Sequence, residues 1–160
     1  MSVRPQALAA PPFLAAVLGP LLGLFLAVAA TLAQAPPAAA QDVSAADRQA
    51  FRQLIESQIE AFRRDDGEAA FGVASPAIRQ MFGTSEIFMD MVRQGYQPVY
   101  RPRSVEFGEI VSLNGQPAQK VHLVAPDGRP VTAVYPMTRL PDGTWRIDGC
   151  YLEAPQRRQA

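Results

Sequence analysis

The second half of the sequence bends three times in the same way, at Leu113-Asn114-Gly115, Pro126-Asp127-Gly128 and Pro141-Asp142-Gly143. Each bend sets Asn or Asp ahead of Gly, the pattern of a type I turn closed by a left-handed glycine, and such a loop joins two antiparallel strands. Three hairpins of this kind place Ser112 opposite Gln116, Ala125 opposite Arg129 and Leu140 opposite Thr144. Counting outward, Val121 faces Phe107 and Ala133, Leu123 faces Val105 and Val131, Met137 faces Ile147, and Tyr135 faces Gly149. A slip of one residue would exchange the two faces of a strand, so this register is a strong statement about which side chains look inward.

One face then collects Val105, Phe107, Val111, Val121, Leu123, Val131, Ala133, Tyr135, Met137, Trp145, Ile147 and Tyr151. The other collects Ser104, Glu106, Ser112, Lys120, His122, Thr132, Thr138, Arg146 and Asp148, with Ile110, Val124, Val134, Cys150 and Leu152 as apolar exceptions. Pro136 falls inside a strand, which marks a bulge able to shift the last hairpin by one.

Before Tyr96 the periodicity is helical. Phe51, Leu54, Ile55, Ile59 and Phe62 form one apolar stripe from Ser44 to about Arg64, with Ser44 and Asp47 in capping-box spacing and Glu60 and Arg64 set for an i,i+4 pair. Asp65 or Asp66 caps a short second helix that Pro76 stops. Ser75-Pro76 opens a third, closed by Gly83, and Thr84 opens a fourth, closed by Gly95. Nothing after Tyr96 reads as helix. The expected fold class is α+β: N-terminal helices packed on the apolar face of a curved, four-stranded antiparallel meander.

The N-terminus is of another kind. Arg4 precedes a stretch from Phe13 to Ala33 without a charged residue, followed by the small-residue tract Ala33-Gln34-Ala35-Pro36-Pro37-Ala38-Ala39-Ala40-Gln41. This has the layout of a secretory signal, and an A-x-A site after Ala40 avoids the proline that follows Ala35. The expected organisation is a signal peptide over residues 1–40 and one α+β roll domain over 41–160, periplasmic or secreted. An uncleaved membrane anchor is the rival reading, since the apolar run approaches the length of a span; Gly19-Pro20 and Gly23 interrupt it. Membrane association is expected only through that segment.

Export brings disulfides into question, yet Cys150 is the only cysteine of the 160 residues, so no internal bridge can form. The domain depends on its core, and about 120 residues bury enough surface for that. Fifteen Lys+Arg against fifteen Asp+Glu leave no basic excess, and no nucleic-acid partner is expected. One histidine and one cysteine make a poor zinc set. Neither a metal nor a cofactor is implied.

Helices first, then a meander ending Asp142-Gly143-Thr144-Trp145-Arg146-Ile147-Asp148-Gly149, resemble the nuclear-transport-factor-two-like (cystatin-like roll) superfamily. Within it, Gln58 to Asp66, Phe71 to Pro76, Tyr100-Arg101-Pro102-Arg103-Ser104-Val105 and Gly149-Cys150 resemble a bacterial family, domain-of-unknown-function family four-eight-six-four. The resemblance covers nearly all of the chain beyond the signal. It implies a cone-shaped roll and carries over no catalytic residue.

Pocket chemistry in such a roll needs a sheltered titrating group. His122, on the outer face beside Glu106 and Thr132, is explained by cross-strand pairing. Asp148 shares that face and is expected to be solvated. The inner face offers Tyr135, Tyr151, Glu109, Gln119 and Arg139, and of these Tyr135, Tyr151, Glu109 and Arg139 are the ligand-pocket candidates. Arg101 and Arg103 either clamp an acidic group or guard a strand edge. No catalytic constellation stands out. The leading expectation is an exported binding module for a small apolar ligand or a protein partner. A small isomerase- or hydratase-type enzyme using Tyr135 and Glu109 is one alternative; a homodimeric structural protein associating through Val134, Cys150 and Leu152 is another.

Overall fold

The computed structural model describes residues 43–153, so the expected export segment, residues 1–40, lies outside the described residues. Five helices precede five strands: α1 Ala45–Arg63, α2 Gly67–Gly72, α3 Pro76–Phe82, α4 Ser85–Gly95 and α5 Gln97–Tyr100, then β1 Ser104–Leu113, β2 Gln116–Val124, β3 Pro130–Arg139, β4 Trp145–Ile147 and β5 Tyr151–Glu153. The expected α+β class, helices first and antiparallel sheet second, is what the chain forms, and the sheet is open. No helix among the described residues is long and apolar enough to cross a membrane.

Side chains at the helix starts satisfy the backbone N–H groups that have no partner within the helix. Ser44 Oγ accepts from the Asp47 amide at 3.1 Å while the Asp47 carboxylate accepts from the Ser44 amide at 3.3 Å, a reciprocal box. Asp66, Ser75 and Thr84 cap α2, α3 and α4 by accepting from the amides three residues on, at 3.0, 3.2 and 3.3 Å. Two expectations need correcting. Glu60 pairs with Arg63 and not with Arg64, and one helical turn, α5, lies beyond Tyr96. Pro98 sits in the first turn of α5, where its missing N–H leaves no bond unmade.

The sheet order is β1-β2-β3-β4, with β5 also paired to β3. Two of the three bends have the expected three-residue geometry. Ala125 and Arg129 bond across one, Leu140 and Thr144 across the other, and Gly128 and Gly143 close them with φ of 87° and 85°. The first bend differs. Asn114 joins Gly115 in the left-handed region, φ 53° and 82°, and Leu113 pairs with Gln116. This is a two-residue loop of the kind Asn-Gly favours, because Asn tolerates that conformation better than most residues.

A bulge undoes the resulting slip. Phe107 pairs with Val121 and Ile110 with Gln119, so Gly108 and Glu109 together stand opposite Lys120. Between the bend and the bulge the faces are therefore exchanged: Ile110, not Val111, packs on the core. Beyond the bulge the expected register holds, with Val105 opposite Leu123 and Glu106 opposite His122. Gln119 Nε2 donates at 2.8 Å to the Gly108 carbonyl that the bulge removes from the ladder. A side chain at 108 would meet His122 Nε2 at 2.7 Å, so glycine permits this close approach.

Helices cover the inner face. Phe51, Ile55, Ile59 and Phe62 of α1 are buried with Val121, Leu123, Ala133, Met137 and Ile147 of the sheet; each fully buried large side chain contributes about 1.5–3 kcal/mol. Trp145 meets Phe51 edge-on at 4.8 Å, and its Nε1 donates to Asp47 at 2.7 Å. The start of α1 and the last hairpin are thereby joined across the chain. The Val73–Ser75 segment runs along the free edge of β4: Ile147 N donates to Val73 O at 3.1 Å and Ser75 N to Ile147 O at 2.8 Å. That backbone covers an edge otherwise open to another strand.

Candidate functional site

The fourth position of the sheet is broken, and the break forms the wall of a cavity. Asp148 N still donates to Pro136 O at 2.8 Å in the register of the last hairpin. From Tyr151 onward the strand pairs one residue later, Tyr151 with Val134 and Leu152 with Ala133. Gly149 and Cys150 thus stand together opposite Tyr135. Pro136 has no N–H to give the ladder, and Gly149 takes a φ of 152° that a side chain would disfavour.

The slip exchanges two side chains. Leu152 packs against the core, and Tyr151, expected inside, is 56 % exposed.

The cavity occupies about 440 Å³ between this break and the helices. Gln58 and Phe62 reach it from α1, Ile78, Met81 and Phe82 from α3, and Phe88, Met91 and Val92 from α4. Ala74, Tyr96, Val99 and the stretch from Ile147 to Tyr151 complete the lining among the described residues. Met81, 73 % exposed, and Tyr151 stand at its margin. Its size lies in the range of small-molecule sites, and two flexible thioethers among aromatic rings give an adaptable surface.

Few polar groups face this space, and the Tyr96 phenol and the Cys150 thiol among them stay neutral. Burial raises the Tyr96 phenol above its ordinary value, with Cys150 and Tyr151 adding to the shift. Burial likewise pushes the Cys150 thiol up to about 12. Cys150 is half-buried as a residue, but its sulfur lies deep among neighbouring atoms. A thiol so shifted is a poor nucleophile at neutral pH, since the thiolate is the reactive form. The Asp148 carboxylate accepts from Gln116 Nε2 at 3.0 Å, and among the described residues no Lys or Arg lines the cavity. Directly behind Cys150, Tyr135 is 0 % exposed and its hydroxyl has no hydrogen-bond partner among the described residues. The thiol is its neighbour but falls short of hydrogen-bond geometry, and burial drives the phenol well above its ordinary value.

The four side chains proposed from the sequence are dispersed. Tyr151 lines the cavity at its margin; Tyr135 lies one layer deeper, behind Cys150. Glu109 was expected inward, but the bulge turns it to solvent, where it pairs with Lys120 at 3.1 Å. Arg139 was also expected inward; it is exposed at the last bend, 5.6 Å over the Trp145 ring, with Nε donating to the Gly143 carbonyl. Tyr135 and Glu109, the pair of the enzyme alternative, are not brought together. Of the dimer surface, Val134 is 4 % exposed and Leu152 faces the core. His122 sits outside as expected, Nδ1 3.1 Å from Thr132 Oγ1. Asp148, expected to be solvated, is half-buried at the cavity wall. Sequence reasoning missed Gln58, Tyr96 and the pair Met81 and Met91 as lining residues. Pro136, read as the mark of a bulge, and Gly149 beside it were the available signals; the last hairpin keeps its expected register, and the one-residue shift falls just beyond it, at Gly149 and Cys150.

A family model described as "Domain of unknown function (DUF4864)" matches residues 44–160. The chain belongs to this family. The match takes in every described element of the DUF4864 domain, and no curated protein and no solved structure matches the chain.

Much of the motif that suggested the family serves to tie the DUF4864 domain together. Asp65 ends α1 with a φ of 56°, an uncommon conformation for a residue with a side chain. Its carboxylate accepts from the Tyr100 hydroxyl and from Arg101 at 2.8 Å, while Arg93 stands 3.7 Å away. The Arg101 guanidinium lies 4.8 Å over the Tyr100 ring, and Arg63 donates to the Pro102 carbonyl at 3.3 Å. Arg101 therefore spends its charge on the chain's own acid. The Tyr100 hydroxyl foremost, then the Arg101 and Arg93 guanidiniums, hold the Asp65 carboxyl below its usual range.

Proposed function

We propose that this DUF4864 domain is an exported binding module that takes a small, uncharged, largely apolar molecule into the cavity beside the β4–β5 break. The cavity carries the reading: about 440 Å³ of space in a small domain, lined mostly by aromatic, aliphatic and thioether side chains, with no Lys or Arg and one carboxylate, Asp148, among the described lining residues, and with the Tyr96 phenol and Cys150 thiol held neutral. Sites of that size and composition bury most of the surface of a small ligand. Export is supported by the charge-free run from Phe13 to Ala33 and the A-x-A tract after it, and the family match begins just beyond, at Ser44. The order of helices before an antiparallel sheet supports placement in the nuclear-transport-factor-two-like superfamily, though fold alone names no ligand.

The test is a titration with N-phenyl-1-naphthylamine, a neutral apolar dye whose fluorescence rises on leaving water. The wild-type protein should bind one equivalent saturably. Ile78→Trp, which places an indole at the cavity from half-exposed α3, should abolish binding with the fold intact by circular dichroism. Absence of saturable binding, or binding unchanged in Ile78→Trp, contradicts the proposal.

A further inference from the structure

Gln58 is 4 % exposed and yet lines the cavity. Its Nε2 donates to the Ala70 carbonyl at 3.1 Å. A carbonyl can only accept, so this bond fixes which end of the amide is which. Among the described residues Oε1 accepts no hydrogen bond. Nor is it sealed within the packing, because the Tyr135 hydroxyl is the fully enclosed side-chain polar atom left without a partner. Gln58 lines the cavity, and Oε1 is the end of its amide left for a partner there. A buried acceptor in apolar surroundings loses free energy when a ligand covers it without supplying a donor.

We infer that Gln58 Oε1 receives a hydrogen-bond donor from the cavity's ligand, so that the site selects an uncharged apolar molecule bearing a hydroxyl or N–H group over the same molecule with that group capped. This rests on the binding reading above and makes it specific. The absence of Lys and Arg from the described lining residues disfavours an anion. Gln116 engages one oxygen of the Asp148 carboxylate, while the bond to Ala70 holds the Gln58 amide oxygen in a fixed direction; substitution of Gln58 separates this acceptor from the second carboxylate oxygen.

The test displaces N-phenyl-1-naphthylamine from the wild-type protein with 4-butylphenol or with 4-butylanisole. The anisole is the more apolar, so burial alone ranks it first. The inference predicts the reverse, the phenol binding about tenfold more tightly. In Gln58→Met, which keeps the length of the side chain and removes the acceptor, the preference should vanish. Equal displacement by the two, or a stronger anisole, on wild-type protein overturns the inference while dye binding leaves the binding module standing. Failure of the dye to bind removes both. Where Gln58→Met does not fold, the wild-type comparison still overturns the inference by the outcomes above, and a phenol preference that is lost in Asp148→Ala overturns it by assigning the donor to that carboxylate.

Discussion

Tyr135 carries its hydroxyl into an enclosed place beside Cys150 where no group of the described residues receives it. Leaving such a group unpaired costs about 1–3 kcal/mol, whereas its ring belongs to the core. Tyr135→Phe keeps the ring and removes the cost. The variant should be as stable as wild type or more stable, by up to about 1 kcal/mol in chemical denaturation. A loss beyond about 1 kcal/mol would mean that the hydroxyl has a partner in solution. The residue was legible as an inward-facing aromatic, because alternation from Val131 to Met137 fixes its side of the strand. Its lack of a partner was not legible. That depends on Gly149 and Cys150 both standing opposite it, a consequence of the break in the next strand.

At the scale of elements, the Asp65 knot joins the end of α1 to the approach to β1 through Tyr100 and Arg101. Asp65→Asn retains tolerance of the left-handed backbone and removes the charge, so it isolates the electrostatic part. The folded-state value of Asp65 is depressed below 3.8. Its contribution is therefore fully present above that value and is lost as the pH falls through the lower, folded-state one. The stability gap between wild type and Asp65→Asn should be widest above about pH 5 and narrow as the pH is taken below the carboxyl's ordinary range. A gap that does not change with pH contradicts this account.

The two errors of register in β1 also belong to this scale. Asp127 and Asp142 left the expected three-residue loops intact, but Asn114 entered the left-handed region and shortened its loop by one. The bulge at Gly108 and Glu109 restored the count. Periodicity cannot see two compensating slips, so Val121, Leu123 and His122 were placed correctly while Ile110, Val111 and Glu109 were not. A glycine inside a strand pattern was the signal that could have placed the bulge.

For the whole molecule, the sequence specified a helical layer on an antiparallel sheet because apolar stripes and turn chemistry agree from Phe51 to Ile147. The cavity was hidden from the same reasoning. It arises where short helices meet a broken strand, and its lining comes from five separate segments whose proximity only tertiary packing sets. The central claim is that this space holds a ligand, and its methionines report on it directly. Met81 and Met91 line the cavity, whereas Met89 and Met137 are buried outside its lining. In methyl NMR of protein labelled with ¹³C at methionine, added 4-butylphenol should shift the Met81 and Met91 resonances saturably and leave that of Met137 in place. Unmoved Met81 and Met91 signals, or shifts confined to Met89 and Met137, would contradict it.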